Sequence, residues 1–116
     1  MISKSMVDDI ENLSYYCQNC HTSMEVYNEL VQNRKLETAS ILLTKIINNI
    51  TILIELYQRI NSSVKKIEYI NSKLEILMDG YENMDYFYIK DIFEYEMLPL
   101  TKEIFEEIKE IIFTKS

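Results

Sequence analysis

The chain has 116 residues, a formal net charge of −7 at pH 7, one glycine, one proline and 47% apolar residues. This length fits a single domain, and the apolar content is normal for a globular protein with its own core. Strand-rich folds need more turn-forming glycine and proline, so an all-α domain is predicted over residues 1–116. The negative charge argues against a nucleic-acid partner, because the phosphate backbone would be repelled.

No membrane or export segment is predicted. Residues 1–10 lack the apolar stretch of a secretory signal. The most apolar region, residues 41–60, is interrupted by polar and charged side chains such as Lys45 and Glu55, which a bilayer-spanning helix would not carry. We therefore expect a cytoplasmic protein, in which the two cysteines stay reduced.

The first predicted helix covers residues 5–32. Apolar residues recur there in alternating steps of three and four, the spacing of a helix face packed in a bundle. Ser5, with Asp8 three residues later, is expected to cap the N-terminus, and Asn33 to end the helix in a left-handed conformation. The predicted core positions are Ile10, Leu13, Cys17, Cys20, Met24, Tyr27 and Val31.

Two further helices follow with short connections. The second covers residues 36–60 and is apolar on more than one face, so neighbours are expected on more than one side. Asn61 is expected to end it, and a serine of the pair Ser62 and Ser63 to cap the third helix. The third helix is expected to end at Asp79 and Gly80. Its predicted core positions are Val64, Ile67, Ile70, Leu74, Leu77 and Met78.

The last predicted helix begins near Asp85 and contains Pro99. Proline lacks an amide donor and clashes with the carbonyl four residues back, at Tyr95, so the helix should bend or restart near Pro99. Short connections make neighbouring helices antiparallel, which predicts an up-down four-helix bundle with a proline-kinked last helix. The predicted core positions are Ile89, Ile92, Phe93, Met97, Leu100, Ile104, Ile108 and Ile111.

A weak internal echo links the two halves of the chain. Asn33 is followed by apolar residues with the same spacing as those that follow Asn83, fifty residues later. Two helical hairpins with similar turns would produce this pattern. The echoing apolar residues are Ala39, Leu42 and Leu43 in the first half and Ile89, Ile92 and Phe93 in the second.

The string Cys17-Gln18-Asn19-Cys20-His21 has the CxxCH pattern of covalent haem attachment. Haem attachment usually accompanies export, and a structural zinc site needs a fourth ligand that no other Cys or His supplies. Cys17 and Cys20 also fall on the predicted core face, which suits small apolar side chains. Buried core thiols beside a flanking His21 are therefore favoured, and no cofactor is expected. Metal, redox or haem binding through the three side chains is the alternative.

The C-terminal third combines excess acid with several tyrosines. Asp91, Glu94, Tyr95 and Leu98 line one face of the predicted helix. Carboxylates beside exposed tyrosine are suited to a basic or apolar segment of another protein, and the simpler alternative is a solvated acidic face. The predicted partner-binding residues are Asp91, Glu94, Tyr95 and Glu96.

No catalytic apparatus is recognisable in the sequence. With one histidine and one glycine, neither a positioned catalytic base nor a phosphate-binding loop is predicted. We therefore expect a non-enzymatic interaction module, an adaptor or chaperone-like protein, rather than an enzyme. Heptad spacing does not say whether helix seams close within or between chains, so a homodimer is left open.

The segment from Asp85 to Pro99 reads Asp-aromatic-x-x-Ile-x-Asp-Ile-x-Glu-Tyr-Glu-x-x-Pro. Together with the hairpin of residues 33–49, it resembles a family of short helical proteins of unknown function from low-GC Gram-positive bacteria. The resemblance covers residues 27–112. It implies an all-helical cytoplasmic protein and carries no activity with it. At the level of architecture alone, the chain is also similar to small helical chaperones of flagella and secretion.

Overall fold

Four helical rods run back and forth in the computed structural model, which describes residues 3–61 and 63–115. The predicted all-α antiparallel four-helix bundle is confirmed. We refer to the three consecutive segments that form the fourth rod as the C-terminal rod. The first three rods are α1 (Lys4–Gln32), α2 (Leu36–Ile60) and α3 (Val64–Glu82), and the C-terminal rod consists of α4 (Tyr86–Ile92), a π-helical turn (Phe93–Met97) and α5 (Leu98–Lys115).

The core runs along the whole bundle, and α1 contributes the apolar face that its sequence predicts. All seven predicted positions of α1, from Ile10 to Val31, are buried, as are the predicted positions of the C-terminal rod from Ile89 to Ile108. The prediction is wrong at two positions of α3, because Val64 and Met78 are 64% and 50% exposed. Few α3 side chains are fully buried, so α3 is the rod least enclosed by the others.

Two predicted helix boundaries need correction. The N-terminal cap is Ser3 rather than Ser5, since the Ser3 hydroxyl accepts a hydrogen bond from the Met6 amide at 3.1 Å. Helix α3 does not break at Gly80 but continues to Glu82. A Cβ atom on Gly80 would lie 2.8 Å from Cγ1 of Ile89, so this glycine serves close packing rather than helix termination.

The connection between α2 and α3 is short. Asn61 ends α2 as predicted, in an extended conformation, and its amide donates to the Tyr57 carbonyl at 2.8 Å. Ser63 occupies the N-cap of α3, without a side-chain hydrogen bond to the helix. Ser62, the other predicted capping residue, lies outside the described residues.

The turn between α1 and α2 is a compact helix-terminating motif. The Lys35 amide donates to the Leu30 carbonyl at 2.8 Å and the Arg34 amide to the Val31 carbonyl at 3.0 Å, which is the Schellman pattern. The left-handed residue is Arg34, at φ 61°, and not Asn33, which has φ −90°. The prediction of Asn33 as the left-handed terminator is therefore wrong by one residue.

The turn between α3 and α4 repeats this geometry. The Asp85 amide donates to the Gly80 carbonyl at 2.8 Å and the Met84 amide to the Tyr81 carbonyl at 3.2 Å. Asn83 has φ −91° and Met84 has φ 54°. The prediction of two helical hairpins with similar turns is confirmed at the level of backbone dihedrals and hydrogen bonds.

The C-terminal rod does not stop at Pro99. The Leu98 amide donates to the Phe93 carbonyl, five residues back, so the turn directly before the proline holds one residue more than an α-helical turn. In a regular α-helix the proline ring would meet the Tyr95 carbonyl. The predicted irregularity near Pro99 thus takes the form of a π-helical turn.

Helix α2 (Leu36–Ile60) is long and apolar enough to cross a bilayer by length and composition. Core helices of soluble bundles meet the same criterion, and α2 buries one face against α1 and α3. The expected absence of a membrane segment therefore stays a prediction.

Candidate functional site in the seam between α3 and the C-terminal rod

The thiols of the CxxCH string lie inside the core. Cys17 and Cys20 are both 0% exposed, as their position on the predicted core face requires. The Cys17 thiol donates to the Thr101 carbonyl at 3.4 Å. Burial raises the pKa of both thiols to about 12. Neutral thiols are poor nucleophiles and poor metal ligands, so this environment suits a packing role.

His21 contacts the C-terminal rod. Its Nδ1 atom lies 2.6 Å from the Thr101 hydroxyl, which itself donates to the Leu98 carbonyl at 2.9 Å. The Thr101 hydroxyl thus joins the His21 ring to the Leu98 carbonyl. Nε2 lies 3.8 Å from a carboxylate oxygen of Glu25. Within residues 3–61 and 63–115, no three side chains of His, Cys, Asp and Glu come together as a metal site.

The four predicted partner-binding residues do not form one patch. Asp91 and Glu94 are exposed on the outer face of the C-terminal rod. Glu94 pairs with Lys90 on the same rod at 3.6 Å. The extra residue in the π-helical turn changes the angular relation between side chains on its two sides, so sequence spacing alone could not place them correctly.

Tyr95 and Glu96 face α3 instead. The Glu96 carboxylate accepts a hydrogen bond from Nζ of Lys73 at 2.6 Å. The same ammonium group lies 5.1 Å from the centre of the Tyr69 ring. This hydrogen bond to Glu96 raises the pKa of Lys73, and burial opposes the shift. Tyr95 is 71% exposed and lines the space beside this cluster.

That space is a groove of about 430 Å³ between α3 and the C-terminal rod. We call it the α3 groove. Its apolar and aromatic surface comes from both rods, and charged side chains stand at its edges. The residues that define it are Lys66, Tyr69, Tyr95, Pro99, Leu100 and Glu103.

A polar network closes one end of the α3 groove. The Lys66 ammonium contacts the carboxylates of both Glu103, at 3.3 Å, and Glu107. Glu107 also accepts a hydrogen bond from the Tyr57 hydroxyl at 2.7 Å. Burial lowers the pKa of Lys66, but the bonds to the two carboxylates outweigh it and raise the pKa. Burial and the bond to Glu107 raise the pKa of Tyr57.

The lysines of α3 are site residues that the sequence analysis missed. Lys66 and Lys73 are seven residues apart, and so are their partners Glu96 and Glu103 on the antiparallel rod. Matched heptad spacing of opposite charges is a signal that indicates two paired helix faces. The excess acid of the C-terminal third is therefore partly neutralised inside the molecule.

Comparison with known proteins gives a family and no activity. Residues 9–107 match a family described as a domain of unknown function, DUF8042. No curated protein and no solved structure matches the chain. Because the match extends over most of the sequence, from α1 to α5, the chain belongs to the DUF8042 family.

Proposed function

We propose that this protein is a non-enzymatic interaction module that docks a basic, amphipathic segment of another protein in the α3 groove. The observation that carries the proposal is the α3 groove itself. It has a volume of about 430 Å³ between α3 and the C-terminal rod, and the exposed Tyr95 forms part of its wall. Exposed tyrosine on a concave surface is typical of protein interfaces. The groove has room for a few side chains, and partner side chains would fill it.

The charge of the partner follows from Lys73. Its ammonium group is held between the Tyr69 ring and the Glu96 carboxylate, so the groove already accommodates a basic side chain of its own. A lysine or arginine from a partner would instead contact the exposed Tyr95 ring and the Glu103 carboxylate, whose side chain is 64% exposed. The net charge of −7 would steer a basic segment toward the protein.

A designed peptide pair tests the proposal. One peptide is an amphipathic helix of leucine and lysine, and its counterpart carries glutamate in place of lysine. We expect the basic peptide to shift the amide NMR signals of Tyr69, Tyr95 and Leu100, and to bind about tenfold or more tightly than the acidic one. Shifts centred elsewhere, or equal binding of both peptides, would contradict the proposal.

Two tyrosines provide a matched control. Tyr95 lines the groove and Tyr15 lies on α1, and both are strongly exposed, at 71% and 61%. Tyr95→Ala should weaken binding of the basic peptide about fivefold to tenfold, whereas Tyr15→Ala should leave it unchanged. Equal losses in the two variants would mean that the peptide does not use the groove.

The alternative of a metal or haem bound through Cys17, Cys20 and His21 has less support, because the thiols are enclosed and His21 already bonds to Thr101. Elemental analysis and visible absorption of the purified protein test it directly. The cytoplasmic location and the origin in low-GC Gram-positive bacteria stay predictions.

A further inference from the structure

We infer that this chain contains one helical hairpin twice, and that a single residue inserted into the second copy opened the α3 groove. The first copy consists of α1 and α2, and the second of α3 and the C-terminal rod. The nearly identical dihedrals and hydrogen bonds of the two turns, fifty residues apart, are the first evidence.

The buried residues provide the second line of evidence. From α1 to the start of the π-helical turn, four pairs of buried positions in the two hairpins correspond at a separation of fifty residues, whereas buried Val31 corresponds to Tyr81, which is 43% exposed. Both members of each of the four pairs are buried, so the correspondence holds for packing as well as for sequence. The pairs are Cys20 with Ile70, Tyr27 with Leu77, Ala39 with Ile89, and Leu43 with Phe93.

Beyond the π-helical turn the separation becomes fifty-one. The change falls within Phe93–Met97, where the backbone turn holds one additional residue. A single inserted residue that the helix absorbs as a π turn produces this result, because the core face behind the insertion keeps its orientation. The pairs from the last residue of the turn onward are Ile46 with Met97, Ile50 with Thr101, Leu53 with Ile104, and Tyr57 with Ile108.

The insertion also accounts for the difference between the two seams. In the first hairpin the amide of Asn49 donates to the Asn19 side-chain oxygen at 3.4 Å, so α1 and α2 touch at this level. The equivalent residues of the second hairpin, Tyr69 and Leu100, stand on opposite walls of the α3 groove. The groove of about 340 Å³ at this level of the first hairpin is lined by α1 residues such as Tyr15, whereas the walls of the α3 groove come from both rods. Its use as a docking site rests on the function proposed above.

Deletion of one residue tests the inference in the full-length protein. The first variant removes Glu94 from the π-helical turn and carries Pro99→Ala, which makes a regular helix possible. The matched control removes Lys45, which lies in the part of α2 equivalent to the π-helical turn, and also carries Pro99→Ala. We expect the Glu94 deletion to unfold cooperatively within a few degrees of its Pro99→Ala parent, since it restores the spacing of the first hairpin.

Deletion of Lys45 should instead turn the buried residues behind it away from the core, and lower the unfolding midpoint by more than about 15 °C or abolish cooperative unfolding. In the Glu94 deletion, nuclear Overhauser contacts between the Tyr69 ring and the Leu100 methyl groups should appear as the seam closes.

Equal loss of stability in both deletion variants would overturn the repeat. A folded Glu94 deletion without the new contacts would overturn the role of the inserted residue. Undiminished binding of the leucine–lysine peptide to a closed seam would refute the docking proposal and leave the repeat standing.

Discussion

The two hairpins reach the same turn with opposite distributions of side-chain volume. In the first hairpin a leucine, Leu30, precedes the turn and a small residue, Ala39, follows it. In the second hairpin the equivalent positions hold Gly80 and Ile89, so the large side chain has changed sides. Backbone hydrogen bonds fix the turn in both cases. From this comparison we expect the turn to require a combined volume at this pair, and not a particular residue at either position.

The same hairpins differ in how they close. The α1–α2 seam has direct helix contact, whereas α3 contacts α4 and then meets the rest of the C-terminal rod through Lys66 and Lys73. Both hairpins pack apolar side chains near their turns, as Gly80 and Ile89 do in the second, but only the second has ion pairs across a groove. Apolar packing is the stronger of the two, so the second hairpin should be the more easily opened.

The largest effect is expected from the volume exchange. Gly80→Leu should lower the free energy of unfolding by about 2 kcal/mol or more, because Ile89 occupies the space that the new side chain needs. Ile89→Ala alone should cost about 3 kcal/mol through the cavity that it leaves. The double variant, Gly80→Leu with Ile89→Ala, has the residue sizes of the first hairpin. Its loss of unfolding free energy should be at least about 1 kcal/mol smaller than the sum of the two single losses. Urea unfolding of the four proteins provides the measurement, and strict additivity would show that the two positions are not coupled.

Alkaline pH should weaken the first hairpin, which holds both thiols. The folded-state pKa of Cys17 and Cys20 is raised from 9.0 to about 12, so the unfolded chain loses these protons first and stability falls as pH rises from about 9 toward 12. The slope approaches about 1.4 kcal/mol per pH unit for each thiol. Cys20→Val, which places a β-branched residue as at the equivalent Ile70, should remove the slope of one thiol. Urea midpoints across this pH range test it, and an unchanged slope in Cys20→Val would contradict it.

The ion pairs of the second hairpin should have a smaller effect. Lys66→Met should destabilise the protein by about 1 to 2 kcal/mol, because Glu107 loses a partner in a half-buried environment. Lys109, which pairs with Glu106 on the surface at 3.5 Å, provides the control. Lys109→Met should change stability by less than about 0.5 kcal/mol. If urea unfolding gives equal values for both variants, the network around Lys66 does not hold the seam.

The smallest effects concern the turns themselves. Met84→Gly should stabilise the protein by about 0.5 kcal/mol, since a left-handed methionine costs about 1 kcal/mol and glycine regains most of it. Arg34→Gly should gain less, because the Arg34 guanidinium lies 5.0 Å from the centre of the Phe87 ring. Thermal unfolding of both variants tests the order, and a larger gain for Arg34→Gly would show that its contact with Phe87 contributes nothing.

The residues explain why the fold was predictable and the site was only partly so. Each of the seven predicted core positions in α1 is buried because α1 has neighbours along its length, so periodicity was sufficient there. The same periodicity placed Val64 and Met78 in the core wrongly, because spacing does not reveal that α3 lacks a close neighbour on one side. Tyr95 and Glu96 were identified, but their contacts depend on a π-helical turn that no composition signal announces. The ion pairs of Lys66 and Lys73 could have been predicted from the heptad spacing that these lysines share with their glutamate partners.

Thr101 links α1 to the C-terminal rod close to its π-helical turn. Its carbonyl receives the Cys17 thiol, and its hydroxyl connects His21 to the carbonyl that precedes Pro99. These bonds attach the C-terminal rod to α1 close to the turn where its regular α-helical hydrogen bonding is interrupted. In the docking proposed above, a partner segment in the α3 groove would contact a rod whose Thr101 is already bonded to α1.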